Sequence, residues 1–196
     1  MLLHSVQGFQ ARADVAMVVC VLPRSVIGDP PPWLFQSDGE RLLLSVGGAT
    51  RQDSVANGLE DLPANVGVIV IHDAARPLVP DSVITRVIAE ARNGRSAIAA
   101  LPVVDTLKEV DAEGRIIRTV PRERLWRAQT PQAFPRHVLV RAHAEARARG
   151  LKATDDAALC EALGIPVMVV RGSEQAMKVT EEPDFARADA LSMLRE

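Results

Sequence analysis

Lysine is scarce: Lys108, Lys152 and Lys178 are the only three in 196 residues, and the formal net charge is -2. With no lysine-rich stripe and a slightly acidic balance, a general electrostatic grip on nucleic acid is excluded. Cysteine is as sparse. Cys20 sits inside an apolar run and Cys160 inside a helical pattern, so both read as buried thiols of a reducing compartment rather than as a disulfide framework. No Cys/His spacing of the metal-ligating kind is present. No apolar run approaches the roughly 20 residues of a membrane span, and the opening Met-Leu-Leu-His-Ser-Val lacks the form of a signal peptide. These absences point to a cytoplasmic protein with neither nucleic acid nor membrane as partner. What the chain does have is apolar residues, 47% of the total, enough for a sizeable core in one domain spanning residues 1–196.

The pattern is organised around Val66 to Pro77, Val-Gly-Val-Ile-Val-Ile-His-Asp-Ala-Ala-Arg-Pro. Val68 to Ile71 is an unbroken β-branched run without a polar face, the signature of a parallel strand buried on both sides. Ala16 to Leu22, Arg41 to Val46, Ala97 to Leu101 and Val167 to Val170 read as further strands. Leu2 to Ala11, Arg51 to about Leu59, Pro80 to Arg92 and Arg136 to Arg149 carry helical spacing, the last stopped by Gly150. Thr154-Asp155-Asp156 reads as an N-cap plus first-turn acids opening a helix to about Leu163, and Pro183 opens a final one. Pro23 to Gly39, with three consecutive prolines, reads as a stiff connection. Strands alternating with helices predict an α/β fold, a doubly wound, mostly parallel sheet of Rossmann-like type. One stretch breaks the rhythm. Thr106 to Val110 and Arg115 to Val120 flank Asp111-Ala112-Glu113-Gly114, a hairpin signal, so an arm over about residues 103–122 projects from the sheet. Such an arm buries little surface alone, and docking on a second subunit, as a homodimer, is the expectation.

In open α/β sheets ligands bind beyond the carboxyl ends of the strands, which is where His72, Asp73 and Arg76 fall. An aspartate followed three residues on by an arginine suits a metal-bound phosphate compound; a strand-end aspartate capping a turn explains the same spacing. Gly47-Gly48 leads into the helix at Arg51 and brings Ser54 and free backbone N–H groups to a helix start, where a polar ligand can sit; a tight turn accounts for the glycines equally well.

Six segments occur in this order and spacing: Gly-Gly-Ala-Thr-Arg-Gln-Asp-Ser-Val (47–55), His-Asp-Ala-Ala-Arg-Pro (72–77), Pro-Val-Val-Asp-Thr-Leu-Lys (102–108), Leu-Trp-Arg-Ala-Gln-Thr-Pro-Gln (125–132), Thr-Asp-Asp-Ala (154–157) and Lys-Val-Thr (178–180). Together, from about His4 to Leu191, they resemble the 2-C-methyl-D-erythritol 4-phosphate cytidylyltransferases. The resemblance implies cytidylyl transfer from CTP to 2-C-methyl-D-erythritol 4-phosphate with release of pyrophosphate, in non-mevalonate isoprenoid synthesis, with Mg2+ as the divalent cation. It further implies that Gly48, Ala49 and Ser54 hold the cytosine base, that Asp73 and Ala74 lie at the metal and the ribose, and that Arg76 contacts substrate. Thr106 and Arg122 belong to the arm, which in the family reaches the neighbouring subunit's site; Thr130 and Lys178 come from the body. Arg122 and Lys178 would position the attacking phosphate.

Two departures accompany the resemblance. Ala49 stands where some members carry an acidic residue. The family also begins with a strand, a loop of the type Ala-Ala-Gly-x-Gly-x-Arg and a Pro-Lys pair that hold the CTP phosphates, and Met1 aligns inside the helix after them. The first central strand is therefore expected to be missing, leaving either a gap between the strands at Ala16 to Leu22 and Val68 to Ile71 or a sheet closed over it, with weak CTP binding and negligible turnover by the chain as written. The alternatives are a cytidylyltransferase for another polyol phosphate, such as ribitol 5-phosphate, and a non-catalytic remnant that dimerises through its arm.

Overall fold

The structure, a computed structural model, describes residues 1–36 and 38–193. Helix α1 (Leu2–Gln10) leads to strand β1 (Val18–Leu22). The proline-rich connection holds the short helix α2 (Arg24–Ile27) and two 3-10 turns before β2 (Leu42–Val46), so it is more regular than its composition suggested. Then follow α3 (Arg51–Asp61), β3 (Val68–Ile71), α4 (Asp81–Arg92) and β4 (Ser96–Pro102). The arm is β5 (Leu107–Val110) and β6 (Ile116–Val120). After it come β7 (Trp126–Pro135), α5 (Arg136–Arg149), α6 (Asp156–Ala162), β8 (Val167–Arg171) and α7 (Glu182–Ser192).

The sheet is mixed rather than mostly parallel. β1 and β2 pair in parallel, as do β4 and β8, but β7 runs antiparallel between β3 and β4 in the order β3-β7-β4-β8. β7 is the one long strand that the sequence pattern did not predict. It contains Pro131 and ends in Pro135, residues that normally argue against an interior strand. It is accommodated through a register shift against β4 between Ile98 and Ala100, and its last seven residues are buried.

Apolar periodicity decides what packs where. Val83, Ile84, Val87, Ile88 and Ala91 of α4 pack with Phe9, Ala99 and Ala133 on one face of the sheet. Leu139, Ala142 and Ala146 of α5 and Leu159 and Cys160 of α6 meet Ile69, Phe134 and Leu59 on the other. Burial pushes the Cys20 and Cys160 thiols up to about 11, so both stay protonated and unreactive.

β1 and β3 do not pair, and among the described residues no strand lies between them. A cavity of about 780 Å³ separates them, lined by Val19 and Val21 on one side and Val68 and Val70 on the other. Of the two outcomes expected from the sequence, the gap is the one found. It also explains why only Ile69 of β3 is fully buried although the run reads as a core strand.

Among the described residues, β5 and β6 pair only with each other. Asp111 closes their turn by accepting from the backbone N–H groups of Glu113 and Arg115, and Gly114 takes the left-handed conformation (φ 81°) that such a turn requires. Ile116, Ile117 and Val104 stay exposed on the arm or at its root.

Candidate active site

The end of β3 is braced from beneath. The Asp73 N–H donates to Thr130 Oγ1 at 2.9 Å, Thr130 Oγ1 lies 3.2 Å from His72 Nδ1, and His72 Nε2 lies 3.1 Å from the Arg76 carbonyl. A carbonyl can only accept, so Nε2 carries the proton and Nδ1 accepts from the Thr130 hydroxyl. Burial, with the nearby Phe9 ring 5.0 Å away, pushes the His72 pKa down to about 4, so the ring is neutral at physiological pH. Thr130 is 4% exposed, and its hydroxyl is taken up within the protein. The Arg76 N–H returns to the Asp73 carbonyl at 2.9 Å, and the Val179 N–H donates to the Ala75 carbonyl at 2.8 Å, which seats Lys178 beside the turn.

Asp73 is therefore both a turn residue and the centre of a charge cluster. Its Oδ2 lies 3.1 Å from Lys178 Nζ and 3.7 Å from Arg76 Nε; its Oδ1 lies 3.7 Å from Arg51 Nε. Burial alone would raise the Asp73 pKa, but Lys178, Arg51 and Arg76 together hold it below the usual carboxylate range. Burial also lowers the Arg76 pKa, and its Nη1 donates to the Ala176 carbonyl at 2.6 Å. Arg51 in turn donates from Nη1 to Asp156 Oδ2 at 2.8 Å, and His143 Nε2 meets Asp156 Oδ1 at 2.8 Å.

The sequence pattern gives Arg51 no role beyond opening α3, and Asp156 only that of a first-turn acid. A signal existed: Arg51 is the first residue of α3, where the positive end of the helix dipole disfavours a cation. Such a placement calls for carboxylates nearby. The cap falls one residue later than the sequence pattern places it: Asp155, not Thr154, is the N-cap of α6, its Oδ1 accepting the Ala158 N–H at 2.9 Å. Asp156 has the further task of a buried counter-ion.

The β2–α3 loop is built by its own hydrogen bonds. Thr50 and Asp53 form a capping box, Ser54 Oγ accepts the Gly48 N–H at 3.1 Å and donates to the Thr50 carbonyl at 2.9 Å. A Cβ on Gly48 would collide with the Asp53 Cβ, so only glycine fits. Gly48 and Ala49 are exposed at the loop surface. Ser54, Arg51, Asp73 and Ala74 line the cavity between β1 and β3, whereas Gly48 and Ala49 do not. Thr106 and Arg122 stand apart. Arg122 donates to the Val104 carbonyl, and neither residue bonds to the Asp73 cluster within the chain among the described residues.

The donor chemistry suits a hard divalent cation. Asp73 offers a carboxylate that is partly accessible, and no group of three or more His, Cys, Asp or Glu side chains able to hold a metal occurs among the described residues. One protein carboxylate is the kind of donor set expected for magnesium, which takes its remaining ligands from water and substrate phosphates.

The profile of the family described as IspD: 2-C-methyl-D-erythritol 4-phosphate cytidylyltransferase matches residues 1–194. The chain is 48% identical over 145 residues to the 2-C-methyl-D-erythritol 4-phosphate cytidylyltransferase of Desulforamulus reducens, covering 74% of this chain but only 62% of that protein. It is 44% identical over 195 residues to the protein of the same name from Pelotomaculum thermopropionicum, covering 98% of this chain and 82% of the relative. The crystal structure of 2-C-methyl-D-erythritol 4-phosphate cytidylyltransferase from Thermus thermophilus superposes with a TM-score of 0.84 at 39% identity, over 98% of this chain and 88% of that one.

Proposed function

The chain belongs to the 2-C-methyl-D-erythritol 4-phosphate cytidylyltransferase family, and from that premise we propose that its site transfers a cytidylyl group from CTP to methylerythritol 4-phosphate. The observation that carries this reading is the strand-end Asp73 with Lys178, Arg76 and Arg51 gathered round it. A phosphate oxygen of the polyol phosphate attacks the α-phosphorus of CTP. The bond from that phosphorus to the bridging oxygen breaks, and pyrophosphate leaves.

Two anions must meet, so the work of the site is to offset repulsion and fix an in-line approach. Asp73 would hold a magnesium ion, which when bound neutralises charge on the CTP phosphates. Lys178 is a compact cation for the attacking phosphate, and Arg122 offers a two-pronged guanidinium suited to phosphate oxygens. Gly48, Ala49 and Ser54 present the α3 entry loop to the cytosine ring, and Ala74 leaves room for the ribose. Arg76 completes the positive wall. No side chain is needed as a covalent nucleophile: His72 is held neutral by burial with both ring nitrogens engaged, and both cysteines are buried.

Thr106 and Arg122 are assigned to the site of a neighbouring subunit in a homodimer. Support comes from the arm itself, a two-stranded hairpin with exposed Ile116 and Ile117, which has too little surface to be stable alone. A cytoplasmic location accords with two buried, unpaired thiols, and no helix among the described residues is long and apolar enough to cross a membrane.

The test measures pyrophosphate release with CTP, magnesium and methylerythritol 4-phosphate, with ribitol 5-phosphate and the other nucleoside triphosphates as competitors. It is run on residues 1–196 and on a version preceded by a strand and an Ala-Ala-Gly-x-Gly-x-Arg loop. The open slot between β1 and β3 predicts negligible turnover by the first and CTP-specific turnover by the second. An extended version that binds CTP yet releases no pyrophosphate with methylerythritol 4-phosphate would exclude this function.

A further inference from the structure

Three cations surround the Asp73 carboxylate, and they differ in what else holds them. Arg51 is tied through Nη1 to Asp156 at 2.8 Å, a carboxylate only 1% exposed that also takes His143 at 2.8 Å. Arg76 is tied through Nη1 to the Ala176 carbonyl at 2.6 Å, and its side chain is 12% exposed. Lys178 has Asp73 as its sole charged or hydrogen-bonded partner among the described residues, at 3.1 Å, and its side chain is 47% exposed.

We infer that Arg51 and Arg76 are the fixed counter-charges of Asp73 and that Lys178 is the exchangeable one, released from the carboxylate when a divalent cation binds there and thereby freed to take a phosphate anion. This rests on the proposed function only for the identity of that anion. The asymmetry follows from what each cation leaves behind. If Arg51 swung away, Asp156 would lose its guanidinium in a site closed to water, which is the costly way to break an ion pair. If Arg76 moved, a buried carbonyl and a buried guanidinium would both lose a partner.

Lys178 abandons nothing but Asp73, and its ammonium passes from the carboxylate into solvent that already reaches it. Arg76 Nε already stands off Oδ2 at 3.7 Å, so a divalent cation in direct contact with that oxygen competes with Lys178, the cation nearest to it at 3.1 Å. The freed ammonium is then an unpaired cation at the mouth of the site. Cation binding at Asp73 and anion binding at Lys178 must therefore strengthen one another, in equal measure in both directions. Arg51 gains a role that its helix position alone would not suggest: pinned by Asp156, it keeps Oδ1 occupied from one side and leaves Oδ2 as the atom at which exchange occurs.

The experiment needs no nucleotide and no turnover. Mn2+ is titrated into residues 1–196 while free Mn2+ is followed by electron paramagnetic resonance. Lys178→Met should bind Mn2+ about tenfold more tightly than the wild type, equivalent to about 1.4 kcal/mol. Lys178→Arg, which keeps the charge, should stay close to wild type, and Asp73→Asn placed in the Lys178→Met background should abolish the gain.

A second measurement follows the side-chain amine signal of Lys178, one of only three lysines, as Mg2+ is added. It should move in the wild type and stay still in Asp73→Asn. Lys178→Met that binds Mn2+ no more tightly than wild type, or a Lys178 signal unmoved at saturating Mg2+, overturns the inference. A chain that shows the exchange but, extended as above, makes no pyrophosphate contradicts the proposed transferase activity and leaves the exchange standing.

Discussion

Asp73→Asn preserves the shape of the side chain and removes its charge, leaving Arg51, Arg76 and Lys178 facing one another around a neutral amide. Arg51 keeps Asp156 and Lys178 returns to solvent, so the main loss falls on Arg76, whose Nε has, among the described residues, no hydrogen-bond partner and only the Asp73 carboxylate as counter-charge, at 3.7 Å. Depriving a largely buried cation of its counter-charge costs about 1–3 kcal/mol, between the values for exposed and for fully buried pairs. At about 2–4 °C per kcal/mol for a chain of this size, Tm should fall by about 2–12 °C. The cost depends on pH with a defined sign. The cations hold the folded-state pKa of Asp73 below its unfolded value, so its contribution is complete above about pH 4 and is lost as pH falls through the folded value. Thermal melts of wild type and Asp73→Asn from pH 7 down to pH 3 should therefore start apart and converge, while turnover of the extended version falls by orders of magnitude at every pH. A variant with unchanged Tm at pH 7 and near-normal turnover at low magnesium would refute both the charge cluster and the metal assignment.

His72 should make stability rise with pH over a different window. Its folded pKa is lowered to about 4 from about 6.5 when unfolded, so the buried neutral ring stabilises the fold fully above about pH 6.5 and progressively less down to about pH 4. The slope should approach about 1.4 kcal/mol per pH unit, and denaturant titrations should show it flattened in His72→Gln. Gly48→Ala should cost about 1–3 kcal/mol by overpacking, because the added Cβ would run into that of Asp53; a melt unchanged within about 1 °C would contradict this. Arg122→Ala and Lys178→Ala subunits of the extended version, each inactive alone, should regain activity when mixed, with one intact site per heterodimer. Heterodimers that form without regaining activity would show that the arm does not complete its neighbour's site.

Where local chemistry determines structure, the sequence could be followed closely. α5 runs from Arg136 to the left-handed Gly150 as its pattern and stop signal predict. The extent of Val68–Ile71, the Asp111 turn and the helix after Gly47-Gly48 likewise carry their own signals, but the parallel, doubly buried pairing read for Val68–Ile71 does not occur, since β3 pairs antiparallel with β7 among the described residues. β7 carries none, because Pro131 and Pro135 contradict strand propensity and only pairing on both sides, to β3 and β4, compensates. The site divides in the same way. Asp73 and Arg76 share one turn, so their proximity is legible from spacing. The Arg51–Asp156 pair spans 105 residues, and no local pattern could announce it. The resemblance assigns Thr130 to the body of the substrate site; in the structure its hydroxyl serves the Asp73 N–H and His72, a use visible only once β7 lies beside β3.

The central claim is a direct attack on the α-phosphorus of CTP at a site organised by Asp73, and isotope tracking tests it. Methylerythritol 4-phosphate carrying 18O in its phosphate is incubated with CTP, magnesium and the extended version, and the products are separated by mass. All the label should appear in the cytidine diphosphate product, including its bridging oxygen, and none in pyrophosphate. Label recovered in pyrophosphate, or a product whose bridging oxygen is unlabelled, would contradict it.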